Sequence, residues 1–416
     1  MKSARSTFDV AVVGAGMVGA TTACLLARSG FSVIVIESAE PAVFDKNGDV
    51  GLRVSALSPG SAAVLDAAGA WKAIEDQRHC PYRHMHIEDA ENSASLDFEA
   101  PAFGMERLGT IVENELVQGT LWGILQSLAT VEIHCPQRVT GLQRRESSVL
   151  LELDNSQSAE ARLVVACDGA ASSLRELAGI DHETWEYNQQ GLVSVVQTEL
   201  PNPGTAWQRF LPAGPLAFLP LPDGRSSIVW SCPSAETQSL LSLDEAAFNE
   251  ALSLASGQWL GPVMSSGARG AFPLFMRLSR EYVSGRIVLI GDAAHVVHPL
   301  AGQGVNLGLA DAAALVETLL AERASGHAPG ASSGLNQFAQ WRKSESQLMA
   351  GGIHALRSLF MHEGLGGIRS LGLKLVSRSW FARETFLRRA AGQGRNAPGL
   401  ARGRSLHALA TQNDAD

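Results

Sequence analysis

One carboxylate and three glycines are concentrated in the segment 286–306, which reads RIVLIGDAAHVVHPLAGQGVN. Asp292 follows Gly291, and a glycine there lets the chain turn so that the carboxylate can accept hydrogen bonds from a sugar-like polyol. Gly302 and Gly304 allow a ligand to approach the backbone closely, because neither carries a side chain. These residue types at this spacing indicate a binding site for a small molecule that carries hydroxyl groups.

Two elements of secondary structure must hold those residues in place. The apolar, β-branched run 287–290 predicts a buried strand that ends at the Gly-Asp turn. A helix is predicted from about Val305 to Arg323, directly after the later glycines. The free N–H groups at the start of such a helix point at an anion or carbonyl group bound there. A strand, a turn and a helix start therefore converge on one ligand.

A second glycine motif lies at the other end of the chain, between Phe8 and Glu37. A strand leads into Gly14-x-Gly16-x-x-Gly19, which is followed by a helix and a strand that ends at Glu37. In such a motif the first glycine makes a tight turn, the second admits a pyrophosphate and the third lets the helix pack on the strand. An acid 23 residues after Gly14 suits a ribose hydroxyl. The pattern predicts a dinucleotide-binding fold.

A third motif of the same kind lies between these two, in RLVVACDGAASSLRELAGI. Leu163–Cys167 predicts a buried strand, and Asp168-Gly169 leads into a helix that carries Arg175. Taken alone, this motif fits an ordinary strand-to-helix turn equally well. Three such turns in the order GxGxxG, DG and GD favour three loops of a single cofactor site.

The composition of the chain is that of an intracellular enzyme with more than one domain. It has 416 residues, of which 45% are hydrophobic and 18% charged, and its formal net charge of −9 gives no indication of nucleic-acid binding. The five cysteines are scattered and lack CxxC or metal-ligand spacing: Cys24, Cys80, Cys135, Cys167 and Cys232. We expect reduced packing cysteines, no metal and a cytoplasmic location.

The apolar N-terminal run also has features of a secretory signal, because Lys2 and Arg5 precede uncharged residues from Val10 to Ala27. We favour the dinucleotide motif, since Asp9 abuts the run, glycines interrupt it and a strand follows in phase with the motif. Elsewhere we find no run of about twenty apolar residues free of charge and glycine, so no membrane-spanning helix is expected.

The order of the three turns resembles that of the class A flavoprotein monooxygenases, the aromatic hydroxylases related to p-hydroxybenzoate hydroxylase. The resemblance covers most of the chain. Four segments narrow it to the ubiquinone-biosynthesis hydroxylases: LRVSALSPGS, GTIVENELVQGTLW, GPLAFLPLPDGRSSIVWS and GDAAHVVHPLAGQGVNLGLADAAAL. Among these, the chain is most similar to the enzymes that hydroxylate a prenylphenol ring at C5.

The resemblance implies an α/β fold, with a doubly wound, Rossmann-like FAD-binding domain interleaved with an antiparallel-sheet substrate domain and C-terminal helices. It implies an FAD-dependent monooxygenase that hydroxylates a polyprenylated phenol in ubiquinone biosynthesis through a C4a-hydroperoxyflavin formed with O2. NAD(P)H or an external reductase would donate the electrons. Hydroxylation at C6 or C1, reduction of a prenyl chain and a non-catalytic flavin subunit of the biosynthetic complex stay open as alternatives.

The resemblance also assigns roles at the cofactor. Arg53 would reach the phosphates or the flavin edge, and Asp292 the ribityl chain or a nearby phosphate. Gln118 stands where the wider superfamily has an arginine, which leaves fewer donors and no charge. Pro299 and residues 301–306 would border the isoalloxazine ring. The residues expected to bind FAD are Gly14, Gly16, Gly19, Glu37, Arg53, Gln118, Asp168, Gly291, Asp292, Pro299, Ala301, Gly302, Gln303, Gly304, Val305 and Asn306.

Two histidines, His295 and His298, flank the flavin segment and are the candidates for proton transfer. A histidine in a tight polar loop is more often a hydrogen-bonded structural group, so we assign no catalytic base.

The motifs predict an interleaved domain order. The FAD-binding domain would comprise residues 1–75, 105–183 and 280–325. The substrate domain would comprise residues 76–104 and 184–279, where short apolar strands alternate with Pro/Gly turns. A C-terminal helical region is expected at 335–391 and a disordered tail, rich in Arg, Ala and Gly, at 392–416.

The C-terminal helices are basic, although the chain as a whole is acidic. Seven cations and two acids lie between Ile353 and Ala391, and the cations are Arg357, Arg369, Lys374, Arg378, Arg383, Arg388 and Arg389. Interspersed apolar residues would let this surface associate with anionic lipid at the inner face of a membrane, or dock onto other ubiquinone-biosynthesis proteins. Burial of the apolar faces against the FAD domain explains the pattern equally well.

Overall fold

The structure, a computed structural model, describes residues 7–91, 94–298, 302–331, 333–361, 384 and 387–411. The strands are, in chain order, β1 (Phe8–Val13), β2 (Val33–Ile36), β3 (Val54–Leu57), β4 (His79–Tyr82), β5 (His84–Asp89), β6 (Ser95–Glu99), β7 (Gly109–Glu113), β8 (Val131–His134), β9 (Val139–Arg144), β10 (Val149–Leu153), β11 (Ser158–Ala166), β12 (His182–Thr198), β13 (Thr205–Leu211), β14 (Gly214–Pro220), β15 (Ser226–Pro233), β16 (Val263–Ser266), β17 (Gly270–Ser279), β18 (Val283–Ser284), β19 (Ile287–Leu289) and β20 (His295–Val296).

The α-helices are α1 (Met17–Arg28), α2 (Pro59–Ala67), α3 (Trp71–Glu75), α4 (Asn114–Ser127), α5 (Ser173–Leu177), α6 (Ser234–Ser242), α7 (Glu245–Ser256), α8 (Gly304–Ala324), α9 (Gly334–Met361) and α10 (Leu406–Ala410). Short 3-10 helices span Ala100–Phe103, Gly291–Ala293 and Leu400–Arg402.

The first sheet is mostly parallel and has the strand order β18-β19-β11-β1-β2-β8, with β10 and β9 continuing from β11. β1 lies at its centre and pairs in parallel with both β2 and β11. Its strands are short apolar runs such as VIVI in β2, which suit a sheet that is covered on both faces. One face packs on α1, α4 and α8, and the other on α5 and the β9–β10 hairpin. The predicted doubly wound α/β fold is confirmed.

Predicted and observed boundaries of the cofactor-facing elements agree closely. The strand predicted from Phe8 to Val13 is β1, and the strand predicted at 287–290 is β19, one residue shorter. The helix predicted from about Val305 is α8, which begins at Gly304. The helices α1 and α8 approach closely at Gly308, which carries no side chain. A Cβ atom there would lie only 2.6 Å from Val18 Cγ2.

The second sheet is almost wholly antiparallel, in the order β20-β17-β12-β15-β14-β13-β5-β6, with β16 added to β12. Only the β13–β5 pair in this sheet is parallel. Helices α6 and α7 cover one apolar face of the sheet, although the sequence predicted only strands there. Another apolar cluster of the sheet packs on the start of α8, at Leu307, and on the second half of α9, at Ala350 and Ile353.

A third, three-stranded sheet has the order β3-β7-β4. We expected residues 76–104 to belong to the substrate domain, and β5 and β6 do join the antiparallel sheet. β4 instead pairs with β7 in the three-stranded sheet. The chain therefore enters the antiparallel sheet after β4, at β5, rather than before β4.

Helix α8 is long and apolar enough to cross a membrane by length and composition, and it is the one such helix found in the described part of the chain. Two-thirds of its apolar window, 67%, is buried inside the protein. Its apolar residues pack on α1, α2 and α9, which is the position of a core helix.

The segment 392–411 is not the disordered tail that its composition suggested. Leu400 and Ala401 are buried at 0% and 2% exposure in the core that α1 and α8 share. The carboxylate of Glu317 accepts hydrogen bonds from the N–H groups of Gly399 (3.0 Å) and Leu400 (2.8 Å). Two buried apolar side chains and this carboxylate therefore hold a segment that looks polar overall.

Candidate functional site

The three turns found in the sequence lie side by side. β1, β11 and β19 are adjacent parallel strands, and Gly14, Asp168 and Gly291–Asp292 follow their carboxyl ends. The N–H of Cys167 donates to the carbonyl oxygen of Val13 over 2.7 Å, which joins the first two turns. Ligands of open α/β sheets bind at this edge, so the fold brings three distant motifs to one site.

Close backbone contacts explain two of the three glycines of the first turn. Gly14 has a φ of +94°, and a Cβ atom there would lie 2.4 Å from the carbonyl oxygen of Cys167. A Cβ on Gly19 would lie 1.9 Å from the oxygen of Gly14. A Cβ on Gly16 would meet nothing within 4 Å, so this glycine borders open space. That space is where the motif predicts the pyrophosphate.

Glu37 and Gln118 hold the peptide of Ala15 from two sides. The Ala15 N–H donates to Glu37 Oε2 over 2.5 Å, and Gln118 Nε2 donates to the Ala15 oxygen over 3.2 Å. The other oxygen of Glu37 accepts from Ser38 Oγ (3.0 Å) and the N–H of Ala39 (3.1 Å). Both predicted residues therefore lie at the glycine turn, where they also fix its backbone.

Asp168 has one satisfied and one unsatisfied oxygen. Oδ2 accepts from Ser173 Oγ (3.2 Å) and from the N–H of Leu174 (3.1 Å). Oδ1 is buried and has no hydrogen-bond partner among the described residues. A buried acceptor without a partner is uncommon in folded proteins, and a ligand hydroxyl would satisfy it.

Asp292 is exposed between two buried neighbours, Gly291 and Ala293. Within the described residues we find no hydrogen-bond donor to its carboxylate. Burial raises the pKa of Asp292 above its usual value, while the positive charges of His295 and Arg53 lower it. A carboxylate that is surrounded by protein yet open to solvent fits a site that a hydroxyl-bearing ligand fills.

Arg53 lies near Asp292, as its effect on the pKa of that carboxylate shows. Its guanidinium is exposed and stands 5.9 Å from the centre of the Phe272 ring. Arg78 and Glu113 hold the loop that precedes Arg53: Arg78 donates to both oxygens of Glu113 (2.9 and 3.1 Å), and Gly51 N–H donates to Glu113 as well (2.7 Å). This ion pair was not predicted, because its partners are 35 residues apart.

Arg175 connects the second and third turns. Its side chain is buried, with 1% of the residue exposed, and it donates to the oxygens of Ala293 (3.1 Å) and Ala170 (3.0 Å). Burial and the neighbouring Arg277 lower the pKa of this guanidinium. The sequence placed Arg175 on the helix after Asp168, but nothing in the sequence indicated the contact with residue 293.

His295 is buried and forms a hydrogen bond from Nε2 to Asp311 Oδ2 over 2.5 Å. The same oxygen accepts from the N–H of Gly291 (3.0 Å), and Asp311 Oδ1 accepts from Arg342 Nε (2.7 Å). His295 therefore takes part in a buried ionic network below the third turn. Asp311 and Arg342 were both missed in the sequence, although Asp311 lies in the segment that carries the resemblance.

His298 is buried at 1% exposure, and the ring of Tyr187 lies 5.1 Å from it in an edge-on arrangement. The apolar cluster around them includes Leu274, Val297 and Leu307. This cluster lies where the antiparallel sheet meets the start of α8.

The segment 302–306 leads into α8, and Gly302, two residues before the helix, is in the left-handed region at φ +59°. Gln303, Gly304 and Val305 are half-buried at the helix start. Asn306 was expected at the ring, but its side chain binds protein: Oδ1 accepts from Ser58 N–H and Ser61 Oγ, and Nδ2 donates to the oxygens of Ala56 and Gly302. The Asn306 side chain therefore holds the backbone at residues 56–61 and at Gly302, and only the backbone of Asn306 would be available to a ligand. Pro299 and Ala301 lie outside the described residues.

Three observations fit the predicted cofactor. The space beside Gly16 suits a pyrophosphate, and the unsatisfied Asp168 Oδ1 and the exposed Asp292 offer acceptors for hydroxyl groups. The N-terminus of α8 adds free N–H groups beside them. These are the groups that a dinucleotide with a polyol chain, such as FAD, requires.

Comparison with known proteins agrees with this geometry. The sequence profile of the family described as FAD binding domain matches residues 7–349. The chain is 36% identical to the 3-demethoxyubiquinol 3-hydroxylase of Escherichia coli, over 92% of this chain and 98% of that protein. It is also 36% identical to the ubiquinone hydroxylase UbiL of Rhodospirillum rubrum, over 96% of this chain and 94% of that protein.

A solved structure supports the fold. The p-nitrophenol 4-monooxygenase of Pseudomonas putida matches with a TM-score of 0.75 at 21% identity, over 94% of this chain and 99% of that one. With a family match over most of its length and full-length relatives at 36% identity, the chain belongs to the ubiquinone-biosynthesis hydroxylases and is an FAD-dependent monooxygenase.

Proposed function

We propose that the protein hydroxylates the aromatic ring of a polyprenylated phenol in ubiquinone biosynthesis, at C5, with O2 as co-substrate. The observation that carries this proposal is that the chain runs from the third cofactor turn, Gly291–Asp292, into an apolar cluster that includes Val297 and Leu307. An electron-rich ring with an isoprenoid chain is an apolar ligand, and such ligands bind in mostly apolar sites.

We assign FAD to the edge of the parallel sheet. Gly14, Gly16 and Gly19 would receive the pyrophosphate, and Glu37 the adenosine ribose. Asp168 and Asp292 would accept hydroxyl groups, and Arg53 would meet the phosphates or the flavin edge. Bound FAD supplies the redox chemistry, which carries electrons to O2 and oxygen to the ring. NAD(P)H or an external reductase would deliver the electrons.

The protein's own contribution is binding, orientation and exclusion of water. Backbone N–H groups at the start of α8 would stabilise negative charge beside Gly302–Val305. Buried Leu274, Val297 and Leu307 would keep water from the reacting ring, with 4%, 7% and 8% of each residue exposed. His298 adjoins this cluster, and His295 is hydrogen-bonded to Asp311; both histidines stay candidates for proton transfer.

The domain assignment is part of the same proposal. Residues 1–75, 105–183 and 280–325 would form the FAD-binding domain, and residues 76–104 and 184–279 the substrate domain. Strand pairing favours moving β4 (His79–Tyr82) from the substrate domain to the FAD-binding domain, because β4 pairs with β7, which lies in 105–183.

A second ring position is favoured by one relative. The Escherichia coli protein at 36% identity is named as a 3-hydroxylase of 3-demethoxyubiquinol. The second candidate function is therefore hydroxylation of 3-demethoxyubiquinol.

Deletion of the gene and mass spectrometry of the accumulated quinone precursors would test both candidates. We expect a precursor that lacks the C5 hydroxyl group. Accumulation of 3-demethoxyubiquinol would instead support the second candidate. With the purified protein, a product heavier by one oxygen atom supports hydroxylation, and a product with a saturated prenyl bond would show a reductase. Normal ubiquinone in the deletion strain would overturn both candidates.

We also propose that the basic C-terminal region brings the protein to the inner face of a membrane or to partner proteins, where a prenylated substrate resides. Arg388 pairs with Glu384 (2.9 Å) and Arg389 with Glu345 (2.9 Å), so these two cations are already neutralised. Arg369, Lys374, Arg378 and Arg383 lie outside the described residues, as does the side chain of Arg357.

Charge reversal of Arg378 and Arg383 tests this proposal without breaking those ion pairs. We expect loss of co-sedimentation with vesicles that contain anionic lipid, while bound FAD is retained. Reversal of Arg388 and Arg389 is the matched control and should have the smaller effect. Unchanged co-sedimentation and unchanged co-purification with other ubiquinone-biosynthesis proteins would contradict the proposal.

A further inference from the structure

The Asp311 carboxylate connects the third cofactor turn to the C-terminal helix α9. Its Oδ2 accepts from the Gly291 N–H in the turn, and its Oδ1 accepts from Arg342 on α9. Arg342 also donates from Nη2 to the oxygen of Leu307 near the start of α8 (3.4 Å). The Asp311 side chain thus joins Gly291 to Arg342, which is 51 positions further along the chain.

Because the three side chains of this network are buried, each charge needs a partner within the protein. The side chains of His295, Asp311 and Arg342 are exposed by 1%, 1% and 3%. Burial alone would raise the pKa of Asp311, but the charges of His295 and Arg342 and their hydrogen bonds hold it below the usual range. The carboxylate is therefore ionised at neutral pH, and removal of one partner leaves a buried charge without compensation.

Well-packed apolar side chains often stabilise a core as well as a buried ion pair does. What the ionic network adds here is direction, because the Gly291 N–H must point at Oδ2. Gly291 is also in the left-handed region, at φ +60°, and a Cβ there would lie 3.2 Å from Val18. The next residue is Asp292, which is exposed. The orientation of the backbone at Gly291 therefore determines where the side chain of Asp292 leaves the backbone.

We propose that Asp311, together with His295 and Arg342, positions the Gly291–Asp292 turn for FAD, so that FAD affinity depends on the C-terminal helix α9. The three residues act through the turn and are positioning residues. The proposal rests on the assignment of Asp292 to FAD.

The first test compares Asp311→Asn with Glu317→Gln on the same helix. Glu317 is also a carboxylate that accepts backbone N–H groups, but from Gly399 and Leu400 rather than from the turn. Both proteins are freed of FAD and titrated with FAD, and the melting temperature of each apo protein is recorded. We expect about tenfold weaker FAD binding for Asp311→Asn, which corresponds to about 1.4 kcal/mol. Glu317→Gln should keep the wild-type dissociation constant, whatever its melting temperature. Equal affinity of folded Asp311→Asn and wild type would overturn the proposal.

A double-mutant cycle tests whether Asp311 acts through Asp292. Asp292→Ala is introduced into the wild type and into Asp311→Asn, and the FAD dissociation constants of the four proteins are compared. If Asp311 places Asp292, the loss caused by Asp292→Ala is smaller in the Asp311→Asn background. Additive losses would show that the two residues act independently and would contradict a positioning role.

Arg342 provides a milder test should Asp311→Asn not fold. Arg342→Met removes the donor to Oδ1, whereas Arg342→Lys retains a cation whose single nitrogen replaces the separate Nε and Nη2 donors of the guanidinium. We expect weaker FAD binding and a shifted visible flavin spectrum for Arg342→Met, with partial recovery in Arg342→Lys. Wild-type affinity and spectrum in both variants would exclude α9 from the cofactor site.

These measurements record FAD binding and do not depend on the substrate. If the ring position or the hydroxylation itself is wrong, the FAD titrations are unaffected. If Asp292→Ala binds FAD as the wild type does, the assignment of Asp292 fails, and the Asp311→Asn titration still reports on the network by itself.

Discussion

The loop at Gly14–Gly19 and the turn at Gly291–Asp292 both follow parallel strands of one sheet, but different physical means fix their shapes. Side chains are excluded from the first, where Cβ atoms on Gly14 and Gly19 would lie 2.4 and 1.9 Å from backbone oxygens. The second is held by buried charged side chains, namely Asp311 on the Gly291 N–H and Arg175 on the Ala293 oxygen.

The two means have different consequences for stability and for prediction. The glycine loop is marked by a motif whose residues are close in sequence, although the backbone that a Cβ on Gly14 would meet belongs to Cys167, and the loop fails through a steric clash. A turn held by buried charges depends on residues far along the chain, and it fails through unpaired charge and lost direction. The following variants test this difference, from the largest expected effect to the smallest.

Replacement of glycines within the first loop should separate folding from binding. Gly14→Ala combines a left-handed φ of +94° with a Cβ 2.4 Å from a backbone oxygen, so we expect a loss of at least about 3 kcal/mol in unfolding free energy and no FAD binding. Gly16→Ala is the matched control, because its Cβ meets no protein atom within 4 Å. It should fold normally and yet bind FAD poorly. Urea unfolding and FAD titration measure both properties, and normal FAD affinity in Gly16→Ala would place the pyrophosphate elsewhere.

The second turn should respond to a distant arginine. Arg175→Met removes two charged hydrogen bonds from a residue that is 1% exposed, so we expect a loss of about 3 kcal/mol and weaker FAD binding. Arg277→Met is the control, since Arg277 shares the Ala170 oxygen, is only half-buried and does not contact Ala293. Its loss should be about 1 kcal/mol, and similar losses in both variants would show that Arg175 has no special role in joining the turns.

The same contrast explains which parts of the molecule the sequence predicted. β1, β19 and α8 were predicted from local patterns of apolar residues and glycines, whereas the family resemblance implied the doubly wound sheet and the FAD-dependent monooxygenase class. The fold and the class are confirmed. The roles of the individual site residues stay predictions, although Gly14, Asp168 and Asp292 lie at one sheet edge.

What the sequence missed depends on contacts that form only in the folded chain. Arg175 meets Ala293 across 118 residues, and Arg342 meets Asp311 across 31. No local pattern marks either pair. That Asn306 borders the isoalloxazine ring stays a prediction, but the sequence did not indicate that its side-chain amide binds four protein groups. Composition also misled us at 392–411, because the buried Leu400 and Ala401 outweigh the polar residues around them.

The ionised carboxylate of Asp292 should strengthen FAD binding but lower the free energy of unfolding of the apo protein. Its pKa is raised in the folded state, so the folded protein binds its proton more tightly than the unfolded chain does. The apo protein therefore loses stability as the pH rises from the usual pKa of 3.8 through the raised value, and the loss is constant above that. Asp292→Asn removes this titration and should melt at a higher temperature at neutral pH.

The same variant should bind FAD more weakly by about 1.5–3 kcal/mol for each charged hydrogen bond lost. Melting curves of the apo proteins from acid to neutral pH and FAD titrations at neutral pH measure the two effects. The melting temperatures of wild type and variant should converge in acid. A variant that is less stable than the wild type at neutral pH would mean that the carboxylate is stabilised within the apo fold.

The smallest effect is expected at the start of α8. Gly302 has a φ of +59°, and a Cβ there would make an ordinary contact of 3.5 Å with Ala56. Gly302→Ala should therefore cost only about 1 kcal/mol of backbone strain. Gly326→Ala is the matched control at the other end of the same helix, where φ is +78° and a Cβ meets nothing within 4 Å.

Both variants should lose similar stability, but only Gly302 adjoins the proposed isoalloxazine site. We expect Gly302→Ala to bind FAD and to turn over more slowly, and the bulkier Gly302→Val to do so more severely, because a side chain there enters the space required by the ring. Gly326→Ala should keep the wild-type rate. Since strain is matched in the two alanine variants, a difference in turnover measures the crowding of the flavin alone. Equal rates in Gly302→Val and the wild type would show that the ring does not lie against this segment.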